Sequence, residues 1–220
     1  MDSITQGLLG AAIGQAGFRD KLGRRAVLWG ALCGVAPDFD FVAGLGGEWS
    51  SLVHHRGWSH SLVVLTVVAP LVGVVGRRFG KQTGDWKTWT LLSWLGLVTH
   101  PLLDLFTSYG TQLFAPVTNA RYALDGVAII DLFYTLPLLA ALLIPALRDV
   151  SIALRRRLSI GALALTTAYL AFGIYQSHRA QSIAEDDLAR QGFAPMGDRL
   201  SQNSRGKSSL HILLGAATSG

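Results

Sequence analysis

Thr88-Trp89-Thr90-Leu91-Leu92-Ser93-Trp94-Leu95-Gly96-Leu97-Val98-Thr99-His100-Pro101-Leu102-Leu103-Asp104-Leu105-Phe106 decides how this chain is read. The stretch is apolar along most of its length, yet it carries an imidazole and a carboxylate near its end. A helix that crosses a bilayer needs about 20 predominantly apolar residues, with a floor near 17. Ionisable side chains at that depth are costly and face a polar interior or a functional cavity. Helix positions i and i+4 project from one face. His100 and Asp104 can therefore hold one metal ion or orient each other. Pro101 removes the hydrogen bond to Leu97 and opens room between turns.

Outward from this segment the pattern repeats. Apolar stretches lie at about 4–18, 26–45, 61–76, 88–106, 127–147 and 158–175. The last three reach the length of a span, and the first and third are short. Half of the 220 residues are hydrophobic, only 15% are charged, and the mean hydropathy is +0.37. Soluble domains carry about 25% charged residues, so this surface is expected to face lipid. The fold class expected is all-α: a polytopic membrane bundle of about five or six apolar helices over residues 1–176. A polar tail, partly helical and then disordered, follows at 177–220. No cleavable signal peptide is apparent, because Met1-Asp2 opens without a basic region. Cys33, the single cysteine, sits in an apolar stretch and reads as a buried spectator.

The basic residues assign an orientation. Arg19, Lys21, Arg24 and Arg25 lie in the first connection, Arg77, Arg78, Lys81 and Lys87 in the third, and Arg148, Arg155, Arg156 and Arg157 in the fifth. The second holds only Arg56 and the fourth only Arg121. Basic loops stay cytoplasmic, so the second and fourth connections and both termini are expected outside. The net charge of +5 belongs to these loops and forms no aromatic-basic stripe, which argues against nucleic-acid binding.

Three further clusters carry chemistry. Pro37-Asp38-Phe39-Asp40 ends a helix, and its alternate carboxylates are hard ligands for Zn, Mn or Mg; the plainer reading is a turn with solvated aspartates. His54-His55-Arg56-Gly57-Trp58-Ser59-His60-Ser61 places three histidines in seven residues. There Arg56 can clamp an anion, and Ser59 or Ser61 can cap the next helix. Asp131, in apolar surroundings, offers either a general base or a helix N-terminal charge. Asp2 reads as a cap of the first helix. The polar loop 107–126 can line an entrance. With the assigned orientation, Asp38, Asp40, His60, His100, Asp104 and Asp131 all fall in the outer half of the bilayer.

These residues carry a family resemblance. Met1-Asp2-Ser3-Ile4-Thr5-Gln6, Pro37-Asp38-Phe39-Asp40, His55-Arg56-Gly57-Trp58-Ser59-His60-Ser61, Thr99-His100-Pro101-Leu102-Leu103-Asp104, Tyr109-Gly110-Thr111 and Asp131-Leu132-Phe133-Tyr134-Thr135-Leu136-Pro137 resemble the YdjM-like family of bacterial inner-membrane proteins over 1–193. The resemblance implies a polytopic, membrane-bound, metal-dependent hydrolase. Longer relatives continue into a soluble C-terminal region, where this chain becomes Ser/Gly-rich after about Gly197.

The function expected is hydrolysis at the outer face of the inner membrane, on a lipid or a phosphate ester. A divalent metal, zinc as the first guess and manganese as the other, would be held by a subset of Asp38, Asp40, His55, His60, His100 and Asp104. Asp131 would act as base and Arg56 would hold an anion. The competing expectation is a non-enzymatic membrane protein that handles ions or serves as a scaffold.

Overall fold

The computed structural model describes residues 1–42, 57–148 and 150–191; side chains of 40–42 fall outside that description. Among the described residues every regular element is helical, with one isolated antiparallel bridge between Thr111 and Tyr122. The order is α1 (Ser3–Ile13), a π-helical turn (Gly14–Phe18), α2 (Arg19–Leu22), α3 (Arg24–Val35) and a 3-10 turn (Ala36–Val42). After the undescribed stretch come a 3-10 turn (Trp58–His60), α4 (Leu62–Phe79), α5 (Trp86–Asp104), α6 (Leu132–Leu147) and α7 (Ile152–Arg190). The chain divides into a unit of Met1–Ile174 and a second from Tyr175, whose described residues complete α7. The tail expected to be disordered, 192–220, lies outside the described residues.

Caps set several helix starts. Asp2 accepts from the Thr5 amide and so begins α1, Ser61 accepts from Val64 and begins α4, and Asp85 accepts from Thr88 and begins α5. Each carboxylate or hydroxyl satisfies an amide that has no partner within its helix. Hydrogen bonds from Thr88 also hold the exposed Asp85 carboxyl below its ordinary value.

Two of the helices, Leu62–Phe79 and Ile152–Arg190, are long and apolar enough to cross a membrane. This revises the expectation segment by segment. The stretch at 61–76, read as marginal, qualifies because the helix continues to Phe79. The stretch at 127–147 begins only at Leu132, where Asp131 caps it, and leaves 16 residues. Trp86–Asp104 has the length, at 19 residues, but its Lys87, Thr, Ser, His and Asp positions dilute its hydropathy. Ten of its residues are buried, His100 and Asp104 included, so α5 is a central helix with a polar inner face.

The outside is apolar and the inside partly polar. Val67 and Leu71 on α4 are 75% and 68% exposed, and Phe133 and Leu147 on α6 are both 78% exposed. Thr5, Gln6, Gln15, His60, Ser93, His100 and Asp104 are buried. Water would reverse that distribution, whereas a bilayer accepts it.

Helices α1 and α3 touch backbone to backbone. Gly10 on α1 with Gly14 at the start of the π-helical turn, and Gly30 with Gly34 on α3, each repeat after four residues, a spacing that lets helix axes approach closely. A Cβ on Gly10 would stand 2.0 Å from the Gly30 carbonyl oxygen, and one on Gly30 would stand 2.2 Å from that of Gly10. Trp29 and Trp89 fill the neighbouring core edge to face, with Trp29 Nε1 donating to Ser93 Oγ at 2.8 Å.

The connections rich in basic residues come together at one end. Arg25 donates to the Gly80 carbonyl, Arg156 pairs with Asp20 at 3.8 Å, and Gln15 donates to the carbonyls of Ala141 and Arg155. The opposite ends of α1, α3 and α5 carry Met1, Gly34 and Asp104.

Gly30→Val is expected to lower unfolding stability in detergent by about 3 kcal/mol or more, because backbone blocks its side chain. Gly17→Ala, whose added Cβ meets nothing within 4 Å, is expected to stay within about 0.5 kcal/mol of the parent. Circular dichroism during denaturant titration compares the two.

Candidate metal centre

Four side chains from three separate segments converge at the end of the bundle away from the basic connections. Asp38 comes from the 3-10 turn that follows α3, where Pro37 prevents the helix from continuing. His60 closes the short turn before α4 and is fully buried. His100 and Asp104 come from the last turns of α5, which carries through Pro101.

The distances among their facing atoms are narrow in range. His60 Nε2 lies 3.1 Å from His100 Nε2. Asp38 Oδ1 lies 3.2 Å from His100 Nε2 and 3.6 Å from His60 Nε2. Asp104 Oδ2 lies 3.5 Å from His60 Nε2 and 3.7 Å from His100 Nε2. Metal–ligand bonds of 2.0–2.2 Å in a tetrahedron require ligand–ligand edges of about 3.3–3.6 Å. Asp38, His60 and His100 meet the geometric requirement for a shared ion, and Asp104 Oδ2 stands beside both imidazoles without belonging to that set.

Protonation favours a cation at the centre. His100 Nδ1 lies 2.6 Å from the Gly34 carbonyl oxygen, which can only accept, so this nitrogen carries a proton and, in a neutral ring, leaves the lone pair on Nε2. The two carboxylate oxygens are acceptors as well. A divalent ion shared by Asp38 Oδ1, His60 Nε2 and His100 Nε2 would satisfy these facing atoms together. The donor set of two imidazoles and two carboxylates suits zinc or manganese.

A second layer of contacts fixes each donor. Ser59 Oγ stands 2.9 Å from His60 Nδ1. Ser3 Oγ donates to Asp38 Oδ2 at 2.5 Å. The Met1 α-amine and Gln6 Nε2 both donate to Asp104 Oδ1, the latter at 3.1 Å. Such outer partners set the tautomer and the direction of metal ligands. Ser61 Oγ donates to the Ala115 carbonyl and Leu62 N to that of Leu113, so the loop after α5 is held against the segment that carries His60.

Of the residues singled out in the sequence, the structure thus gathers Asp38, His60, His100 and Asp104. Asp40 follows on the same turn as Asp38, with its side chain outside the described residues; His54, His55 and Arg56 are outside them altogether. Asp131 takes a different set of contacts. Its Oδ1 accepts from the Phe133 and Tyr134 amides and its Oδ2 from Tyr169 at 2.8 Å, so it caps α6 and ties it to α7. Ser3, Gln6, Gly34 and the Met1 amine were not reached from residue types. The one signal for Met1, Ser3 and Gln6 was the place of Met1-Asp2-Ser3-Ile4-Thr5-Gln6 among the matching motifs, and Gly34 had none.

Apolar outer faces around a buried centre of two histidines and two aspartates define a helical membrane protein with a candidate metal site. The chain belongs to the YdjM inner membrane protein family, whose model matches residues 1–180. It is 29% identical over 151 residues to Bacillus subtilis (strain 168) YfhP, described as an uncharacterized protein; the match covers 66% of this chain and 46% of YfhP. It is 33% identical over 87 residues to the inner membrane protein YbcI of Escherichia coli (strain K12), covering 39% of this chain and 49% of YbcI. The matched stretches thus take in about half the length of each of these relatives. No solved structure matches.

Asp131→Ala is expected to cost about 1–2 kcal/mol of stability through the lost cap and to leave metal content per folded protein unchanged. Paired denaturation and elemental analysis separate the two effects.

Proposed function

We propose that this protein is a multi-pass inner-membrane hydrolase that uses one divalent metal held by Asp38, His60 and His100, with Asp104 beside it and the fourth position left to water. The observation that carries the reading is the set of five distances between 3.1 and 3.7 Å among four facing donor atoms. Their outer hydrogen bonds prepare them to bind a cation. When bound, the metal would lower the pKa of water and polarise the scissile group.

The chain's own residues supply orientation and a proton-accepting environment. Gly34 keeps the His100 proton on Nδ1. Ser3 holds Asp38 and Gln6 holds Asp104, leaving the other oxygen of each carboxylate toward the imidazoles. The contacts of Asp131 support a structural cap over a general base, and Arg56 keeps its expected role as an anion clamp. The site faces the outer side of the membrane in this reading, because the basic connections cluster at the other end of the same helices. Trp58 and Tyr109, 65% and 64% exposed, belong to segments at the site's end of the bundle and suit an aqueous–lipid boundary. The substrate is a lipid or a phosphate ester presented at that boundary.

Elemental analysis of detergent-purified protein is expected to find close to one zinc or manganese per chain, and almost none in a folded His60→Ala/His100→Ala double variant. Absence of metal from the parent after reconstitution with both ions would replace this reading with a scaffold whose polar cluster joins helices. Ser3→Ala is expected to weaken metal affinity by about tenfold by releasing Asp38, as measured by chelator competition. Affinity is expected to fall as the pH is lowered, because protons compete for the imidazole lone pairs.

A further inference from the structure

Gln6 has one feature that its role in holding Asp104 does not use. It is 1% exposed, and its amide nitrogen donates to two acceptors, Asp104 Oδ1 at 3.1 Å and the His100 carbonyl at 3.2 Å. Those two partners accept only, so they determine which end of the carboxamide is nitrogen. The remaining atom, Oε1, is buried and has no hydrogen-bond partner among the described residues. A buried acceptor without a donor is unfavourable and calls for an explanation.

Covalent geometry keeps Oε1 beside the amide nitrogen, one hydrogen bond away from the Asp104 carboxylate whose other oxygen faces His60 and His100. The donor that Oε1 lacks among the described residues is an O–H or N–H group. We propose that Gln6 Oε1 accepts a hydrogen bond from the water or hydroxide that occupies the metal centre, so that Gln6 selects ligands bearing a proton over ligands without one. The proposal rests on the metal-centre reading given above. It makes Gln6 part of the reaction machinery: the carboxamide directs one O–H toward itself and leaves an oxygen lone pair free to attack the substrate. A neutral side chain does this without adding a third negative charge to the two carboxylates.

Azide tests the idea because it binds metals and has no proton to donate. Cobalt-loaded full-length protein in detergent would be titrated with azide and followed in the visible spectrum, beside Gln6→Leu. In the parent, azide displaces a hydrogen-bonded water and leaves Oε1 unmet; in Gln6→Leu that penalty is gone. Azide is expected to bind about tenfold more tightly to Gln6→Leu, the scale of one unmet buried acceptor, while cobalt stoichiometry is retained by Asp38, His60 and His100. Equal azide affinity in the two cobalt-loaded proteins, within twofold, would overturn the role of Gln6 and leave the metal centre intact. A parent that takes up no cobalt would overturn the metal centre itself. Gln6→Met, of similar length and flexible, makes the same prediction where Gln6→Leu does not fold. A purely structural Gln6 would change stability or cobalt affinity in these variants and leave their azide preference alone.

Discussion

The glycine contact between α1 and α3 is the constraint on which the rest depends. Gly10 and Gly30 leave no room for a side chain between the two backbones. Their approach has a chemical consequence at the far end of the pair. It sets Gly34 beside the Gln6 backbone, where a Cβ would stand 2.3 Å from the Gln6 carbonyl oxygen. The same end of α3 offers the Gly34 carbonyl to His100 Nδ1, and α1 offers Gln6 to Asp104. A wider spacing would separate the partners that aim the imidazole and the carboxylate.

The candidate centre gains order from outside its first layer. Each of the four donors has its second polar atom occupied: by a backbone carbonyl at His100, by hydroxyls at His60 and Asp38, by an amine and an amide at Asp104. Burial strengthens these bonds because little solvent competes with them. It also makes convergence of acceptors unfavourable without a cation, so the same surroundings that orient the donors raise their demand for a positive charge.

The helices separate two tasks by position. Their apolar outer residues, such as Val67, Leu71 and Leu147, give a surface compatible with lipid. Their polar inner residues bind helix to helix, as Gln15 does to α6 and α7 through Ala141 and Ser159. Membership of the YdjM inner membrane family accords with this inside–outside arrangement.

The amino-acid order by itself determined the all-helical class, the cap at Asp2, the choice of Ser59 or Ser61 as the cap of α4, and the i, i+4 pair at the end of α5. These follow from local periodicity, from hydroxyl and carboxylate chemistry at helix starts, and from the cost of ionisable groups in apolar segments. Asp38 and His60 were legible as residue types with metal chemistry but not as partners of His100, since no local rule brings together stretches 40 or more residues apart. Only the tertiary structure decided that Asp131 caps a helix, that Ser3 and Gln6 stand behind the donors, and that four particular atoms face one another. Those outcomes depend on how closely the helices pack, and the glycine seam sets that distance through contacts between backbones whose positions no single segment encodes.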